Sequence, residues 1–402
     1  MSYSPLDNIS LADAIGRPSF NSSFGESITA HRLSHINSHF YYNINAQDFT
    51  TTVTNSGTVT AANSMANISS GTTTNSTSKL QSTDYIVYEA GKEIFAMMTA
   101  MFNAPVTNTS QKIGPYDIYD GFWFGINTSN QFCISRRNNQ TDNVVIQSNF
   151  NLDKLDGTGT SGFTLDVTKV NLYMVCFGWL GIAPITFWVN AGYTKGWVPF
   201  HYIDLVNTST TPTIQVPVLP ITAEVNNGST QSNISLKTIC WNGGILKESG
   251  DQNPSIRVFS QEALKTISSN INTNIITIKN NLTYDGRPSK ILMSLRSLGY
   301  TTDTGGNTNN RAVKIYLYKN ATINGTPQFT SVDSESTCSY DTAGTTFSSG
   351  KLLTCIGSTT NWGAFNEFTY PIKLKPGESI SVCAYCPSSV TIQAALNWYE
   401  EF

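Results

Sequence analysis

Charge is in short supply in this sequence. Asp, Glu, Lys and Arg make up 13% of the 402 residues, about half the usual share of roughly 25%. The net charge is −3, and no stretch is rich in Lys or Arg. Neutralising a phosphate backbone takes a basic patch, so a nucleic-acid partner is excluded. The seven cysteines, Cys133, Cys176, Cys240, Cys338, Cys355, Cys383 and Cys386, are odd in number and mostly far apart. They make no full disulfide framework. Several lie in apolar runs, where Cys behaves as a small hydrophobe, and folding in a reducing compartment is expected. Residues 1–16 lack a basic stretch followed by an apolar one, so no signal peptide is expected. The sequons at Asn67 and Asn281 are discounted as chance matches in a chain rich in Asn, Ser and Thr. An uninterrupted membrane span is lacking too. Residues 170–190 are uncharged and long enough to cross, but Gly178, Gly181 and Pro184 break them. They are expected to form two buried strands joined by a Gly-Ile-Ala-Pro turn.

What the chain has in place of charge is Ser, Thr, Asn and rings. Aromatic residues reach 11%, with 7 Trp, 18 Tyr and 20 Phe, enough for a large core. Thr and aromatics suit a pleated surface. Apolar runs of strand length recur between turn signals, which points to sandwiches or barrels. Residues 85–91, 121–126, 132–137, 143–147, 163–170 and 197–205 are expected as strands. Residues 93–102 fit a strand or a short helix, and their neighbours favour strand. The tract 51–80 is polar, with β character in places. Residues 262–270 fit a short helix. Residues 312–319 and 390–399 alternate strictly, so each has one buried face. Lys375-Pro376-Gly377-Glu378 is a turn, since Pro presets φ and Gly accepts φ > 0. The expected architecture is all-β. An extended N-terminal arm (1–40) precedes an antiparallel β-sandwich domain (41–250) and a C-terminal jelly-roll-like domain (251–402), with the boundary in the turn chemistry of residues 250–254.

Several patterns suggest chemistry, and each lacks the context that chemistry needs. Gly157-Thr-Gly159-Thr-Ser-Gly162 matches a dinucleotide fingerprint, but a strand rather than a helix is expected after it. Asp153-Lys-Leu-Asp156-Gly157 lacks the later ligands of a calcium loop. Cys383 and Cys386 are spaced C-x-x-C, yet residues three apart on a strand face opposite ways. His31, His35 and His39 recur every four residues and so share one face. Around a threefold axis they would converge on a metal, but no carboxylate or Cys completes a set within one chain. His201 has no nucleophile elbow beside it. Asp117 and Asp120 form a carboxylate pair of the glycosidase kind, in what looks like an ordinary loop. Trp123, Trp188, Trp197 and Tyr202 suit either a sugar-stacking platform or core and subunit interface, and the second fits better. No catalytic residue, cofactor or metal is expected.

A set of segments resembles one group of proteins. They are Leu11-Ala-Asp-Ala-Ile-Gly-Arg17, Phe49-Thr-Thr-Thr-Val53, Gln111-Lys-Ile-Gly114 and Asp120-Gly-Phe-Trp-Phe-Gly125. Leu152-Asp-Lys-Leu-Asp-Gly-Thr-Gly159, Phe177-Gly-Trp-Leu-Gly-Ile-Ala-Pro-Ile185, Leu219-Pro-Ile-Thr-Ala-Glu-Val225 and the ending Ala395-Leu-Asn-Trp-Tyr-Glu-Glu-Phe402 complete the set. Together they resemble virion structural proteins of tailed bacteriophages and large DNA viruses: minor capsid, vertex, fibre or tail-associated subunits. The resemblance implies a β-rich, oligomeric, non-enzymatic component located in the virion. Its partners would be copies of itself and other virion proteins, and the low charge and aromatic strands suggest a homotrimer. The alternative is a carbohydrate-binding adhesin that attaches to host surface glycans.

Overall fold

The computed structural model describes residues 31–179, 183–247, 256–305 and 311–402. The chain divides into two compact units, Met1–Gln252 and Asn253–Phe402. Both are built from antiparallel β-strands. Among the described residues the one helical element is a 3-10 turn at Gln147–Asn149.

The first unit is a sandwich of two large sheets. One runs in the order β1 (His31–His39), β16 (Cys240–Lys247), β6 (Ile94–Ala100), β11 (Asn171–Phe177), β12 (Ile185–Asn190), β13 (Trp197–Ile203). The other runs β10 (Thr141–Ile146), β9 (Phe132–Asn138), β8 (Gly121–Ile126), β7 (Ser110–Pro115), β14 (Ile221–Asn226), β5 (Thr77–Ser82), β2 (Phe49–Val53). A small third sheet joins β15 (Ser235–Thr238), β4 (Met65–Ser69) and β3 (Thr58–Ala62). The inward-facing residues form one core, in which Phe122, Phe124, Phe177, Phe187, Phe200 and Trp241 are fully buried. Rings meet edge-on or tilted, as at Phe124–Phe187 (5.4 Å, 77°) and Phe40–Trp241 (5.2 Å, 79°), the geometry that aromatic quadrupoles favour.

The second unit is a separate sandwich with its own core. A four-stranded sheet runs β17 (Ile256–Ile267), β30 (Val390–Glu401), β21 (Leu292–Asp303), β28 (Gly363–Leu374). A six-stranded sheet runs β24 (Thr330–Ser331), β25 (Cys338–Asp341), β18 (Thr273–Asn280), β29 (Ser379–Tyr385), β22 (Ala312–Lys319), β27 (Lys351–Thr359). Two short ladders, β19 (Thr283–Tyr284) with β20 (Arg287–Pro288) and β23 (Thr322–Ile323) with β26 (Phe347–Ser348), close the loops. On β30 the residues Val390, Ile392, Ala394, Leu396 and Trp398 are buried while their alternates face out. The alternation expected on β22 is present as well. Gly377 turns at φ +90° between β28 and β29, a backbone conformation that glycine adopts without steric cost.

Several expectations need correction. Residues 31–39, taken as part of an arm, are edge strand β1 hydrogen-bonded to β16. Residues 1–30 of that arm lie outside the described residues. Residues 262–270 are not helical, because β17 continues to Ile267 and pairs with β30 along its whole length. Residues 85–91 make a single bridge, Ile86 to Leu219, instead of a strand. Residues 163–170 are likewise loop, bridged once at Thr164. Their alternating Phe163, Leu165 and Val167 pack on the core from that loop. Apolar alternation buries one face but does not supply a partner strand to pair with. The uncharged stretch 170–190 forms β11 and β12, paired antiparallel, with residues 180–182 outside the described set. No described helix is long and apolar enough to cross a membrane.

Candidate functional site

The outer face of the four-stranded sheet in the second unit carries an open trough. Cross-strand register places Glu262, Ala395, Gly299 and Phe365 in one row across β17, β30, β21 and β28. The next row is Leu264, Gln393, Thr301 and Gly363. Residues directly opposite in a ladder share a face. Ala395, Gly299 and Gly363 therefore make a low floor between taller flanks. A depression of about 510 Å³ lies over the first row. A second of about 500 Å³, sharing Thr301 and Gly363 with it, runs on past Asp303 and Trp362.

The flanks differ in chemistry. Phe365 and Trp362 are 66% and 60% exposed, although large rings are normally buried or covered. The backbone of Trp362 is held in place. Its N–H donates to Thr302 Oγ1 at 3.1 Å, and its carbonyl accepts from Thr302 Oγ1 at 3.0 Å and from the Thr302 N–H at 2.8 Å. Thr302 is buried and also donates to the Thr359 carbonyl at 2.8 Å. On the opposite flank the Gln393 amide donates to Glu262 Oε2 at 3.0 Å, which orients both side chains. Asp303, exposed on the trough rim, accepts from the Gly305 N–H through Oδ1 at 2.8 Å. Gly299 has ordinary strand geometry, and a Cβ built there would meet only Phe365, at 3.7 Å. The space above Gly299 is therefore open. A groove with exposed ring faces on one side and oriented amide and carboxylate groups on the other suits a ligand with apolar faces and hydroxyl edges.

The residues singled out from sequence do not converge on this trough. Trp123 and Trp188 are 2% and 6% exposed and lie in opposite sheets of the first unit. Trp197 is half-buried and Tyr202 exposed on β13. They form no stacking platform, and burial is the better description of the first two. Asp117 Oδ1 accepts the N–H groups of Tyr119 and Asp120, both at 2.8 Å. Asp120 is 1% exposed and accepts three backbone N–H groups, from Asn139, Gln215 and Val216, at 3.1–3.2 Å. This carboxylate pair ties loops together. Asp153 and Asp156 do the same locally, toward Leu155 and Ser161 and toward Thr158.

His201 is buried, and its Nδ1 accepts the Asn151 N–H at 3.2 Å. Burial pulls its pKa down to about 4, so it is neutral at pH 7. The glycine-rich segment 157–162 is followed by loop, without the helix N-terminus that a dinucleotide phosphate needs. Cys383 and Cys386 are both buried and free, and Cys386, unlike Cys383, belongs to the second unit's core cluster. A bulge between Ser34 and Ile36 shifts the alternation of β1, so the even spacing of His35 and His39 no longer aligns them. His35 Nδ1 accepts the Val87 N–H at 3.1 Å, and His39 lies 4.1 Å from the Tyr41 ring. Among the described residues no group of three or more His, Cys, Asp or Glu is placed to hold a metal ion.

Sequence reasoning missed Trp362 and Phe365. Strand β28 carries rings in both alternation classes, Phe365 outward and Phe368 toward the core, so the pattern alone does not say which face is wet.

No protein-family model matches the chain, and no curated protein matches it. Among solved structures it is similar to a basic winged bean lectin with Tn-antigen, at 10% identity over 53% of this chain and 98% of that chain, TM-score 0.35. A legume lectin-like domain from Entamoeba histolytica matches at 10% identity over 55% and 100%, TM-score 0.35. A cellulose induced protein matches at 13% identity over 52% and 96%, TM-score 0.37. Identities and TM-scores this low assign no ligand to this chain, whose fold is defined by its own strand pairings.

Proposed function

We propose that this chain is a non-catalytic saccharide-binding protein. In the virus-particle setting that its sequence segments imply, it would serve attachment to a glycan-bearing host surface. The observation that carries the binding reading is the trough on the second unit. Sugar rings offer flat C–H faces that stack on aromatics and equatorial hydroxyls that bond to carboxylates and amides. Trp362 and Phe365 supply the first kind of contact, and Glu262, Gln393, Thr301 and Asp303 supply the second.

The carboxylates of the trough are badly placed for hydrolysis. Glu262 and Asp303 lie two strands apart and four residues apart along the sheet. Strand geometry puts their Cα atoms about 16 Å from each other. Glycosidase pairs need roughly 5–9.5 Å between carboxyl groups.

The test is a glycan array followed by calorimetric titration of any hit. Trp362→Ala and Phe365→Ala should each weaken binding about tenfold. Gly299→Val should abolish it by filling the floor, while thermal unfolding stays unchanged. A hit whose affinity none of the three variants alters would place binding elsewhere and refute this site.

A further inference from the structure

The charges around the trough narrow its ligand. Among the described lining residues the charged ones are Glu262 and Asp303, both acidic, and no Lys or Arg faces the space. Arg296 of β21 is paired with Glu367 at 3.0 Å and lies over the Tyr399 ring. A sulfated, sialylated or uronic glycan needs a basic partner for its anion. Here such a ligand would meet two like charges. The two depressions join through Thr301 and Gly363. From Gly299 to Asp303 the trough follows β21 for about 14 Å at a strand's rise per residue. That is room for a short chain of sugars rather than one ring, with Phe365 beside one end and Trp362 beside the other.

We infer that the trough takes a neutral oligosaccharide of several units and excludes anionic glycans. The two rings mark two subsites along it. The inference rests on the saccharide-binding reading above and adds charge and length to it. It has two consequences. Affinity should be insensitive to salt, because no ion pair is made. Affinity should also rise with chain length until both rings are covered, and Trp362→Ala should flatten that rise, costing the longer oligomers more than the shortest.

The experiment titrates the full-length protein with neutral β-1,4-linked gluco-oligosaccharides of graded length. Oligogalacturonates of the same lengths serve as the anionic series, and both are run at low and high salt. The expected result is salt-independent binding of the longer neutral oligomers and none of the anionic series. The double variant E262Q/D303N should then admit the anionic oligomers. Tight, salt-sensitive binding of oligogalacturonates by the unaltered protein would overturn the neutral-ligand inference and leave saccharide binding standing. A hit confined to a single sugar ring, with no gain on lengthening, would overturn the two-subsite arrangement. Silence toward both series and toward the glycan array would overturn the saccharide reading itself.

Discussion

Asp142 gathers four side chains on the outer face of the seven-stranded sheet, Ser135 among them at 3.5 Å. Arg137 donates to it bidentately at 2.8 and 2.9 Å, the Trp123 indole at 3.1 Å and Lys112 at 3.4 Å. Lys112 also lies 4.6 Å above the Trp123 ring. Burial works against the ionised carboxylate, but Arg137, Lys112 and Trp123 outweigh it and hold its pKa at about 2, below the ordinary 3.8. A carboxylate depressed in the folded state contributes its stability above its unfolded pKa and loses it as pH falls through the folded one. That contribution, about 2 kcal/mol, is complete above about pH 5 and is lost progressively down to about pH 1. Asp142→Asn should destabilise the protein at pH 7 by this amount and lose correspondingly less between about pH 5 and about pH 1. Urea unfolding at several pH values checks both, and an unchanged acid limb in the variant would contradict the network. Neither Trp123 nor Asp142 advertises this role in sequence. A Trp in an apolar run looks like core, and the partners lie 5 to 30 positions from Asp142.

At the scale of elements, period-2 alternation was legible on strands with one wet face, and absent from β8 and β18, which are buried on both. Strand β30, between β17 and β21, and strand β22, between β27 and β29, match it residue by residue. It misled at residues 85–91 and 163–170, where the same apolar spacing packs a loop on the core. It was silent on β17, whose EALKTI ending suits a helix by propensity. Pairing with β30 overrides that preference, because tertiary contacts outweigh propensity differences below about 1 kcal/mol per residue. Asp120 shows how the loops are fixed. Its carboxylate spans the turn before β8, the β9–β10 hairpin and the segment leading to β14. Asp120→Ala leaves the backbone N–H groups of Asn139, Gln215 and Val216 without their acceptor. It should cost about 1–3 kcal/mol, seen as a lowered melting temperature. A variant as stable as the parent would show that water replaces the carboxylate freely.

For the whole molecule the decisive fact is two cores, one in each compact unit. Trp398 is fully buried in the second, and its indole donates to Glu400 at 3.0 Å. Glu400 is itself fully buried and accepts from Ser336 and the Thr337 N–H. Trp398→Ala should cost about 3–5 kcal/mol. Calorimetry should show two transitions, with only the second unit's shifted by this change. A single transition moving as a whole would mean that the units unfold together.

The sequence by itself determined the all-β class and the strict strands of the second unit, because composition and period-2 burial are properties of short stretches. The trough was decided by tertiary structure. Its floor, aromatic flank and polar flank come from four strands as far apart in the chain as β17 and β30, and only their register sets Gly299 beside Ala395 and Phe365. Whether a ring on an alternating strand faces the core or water is fixed by what covers it, and no window of neighbouring residues contains that fact.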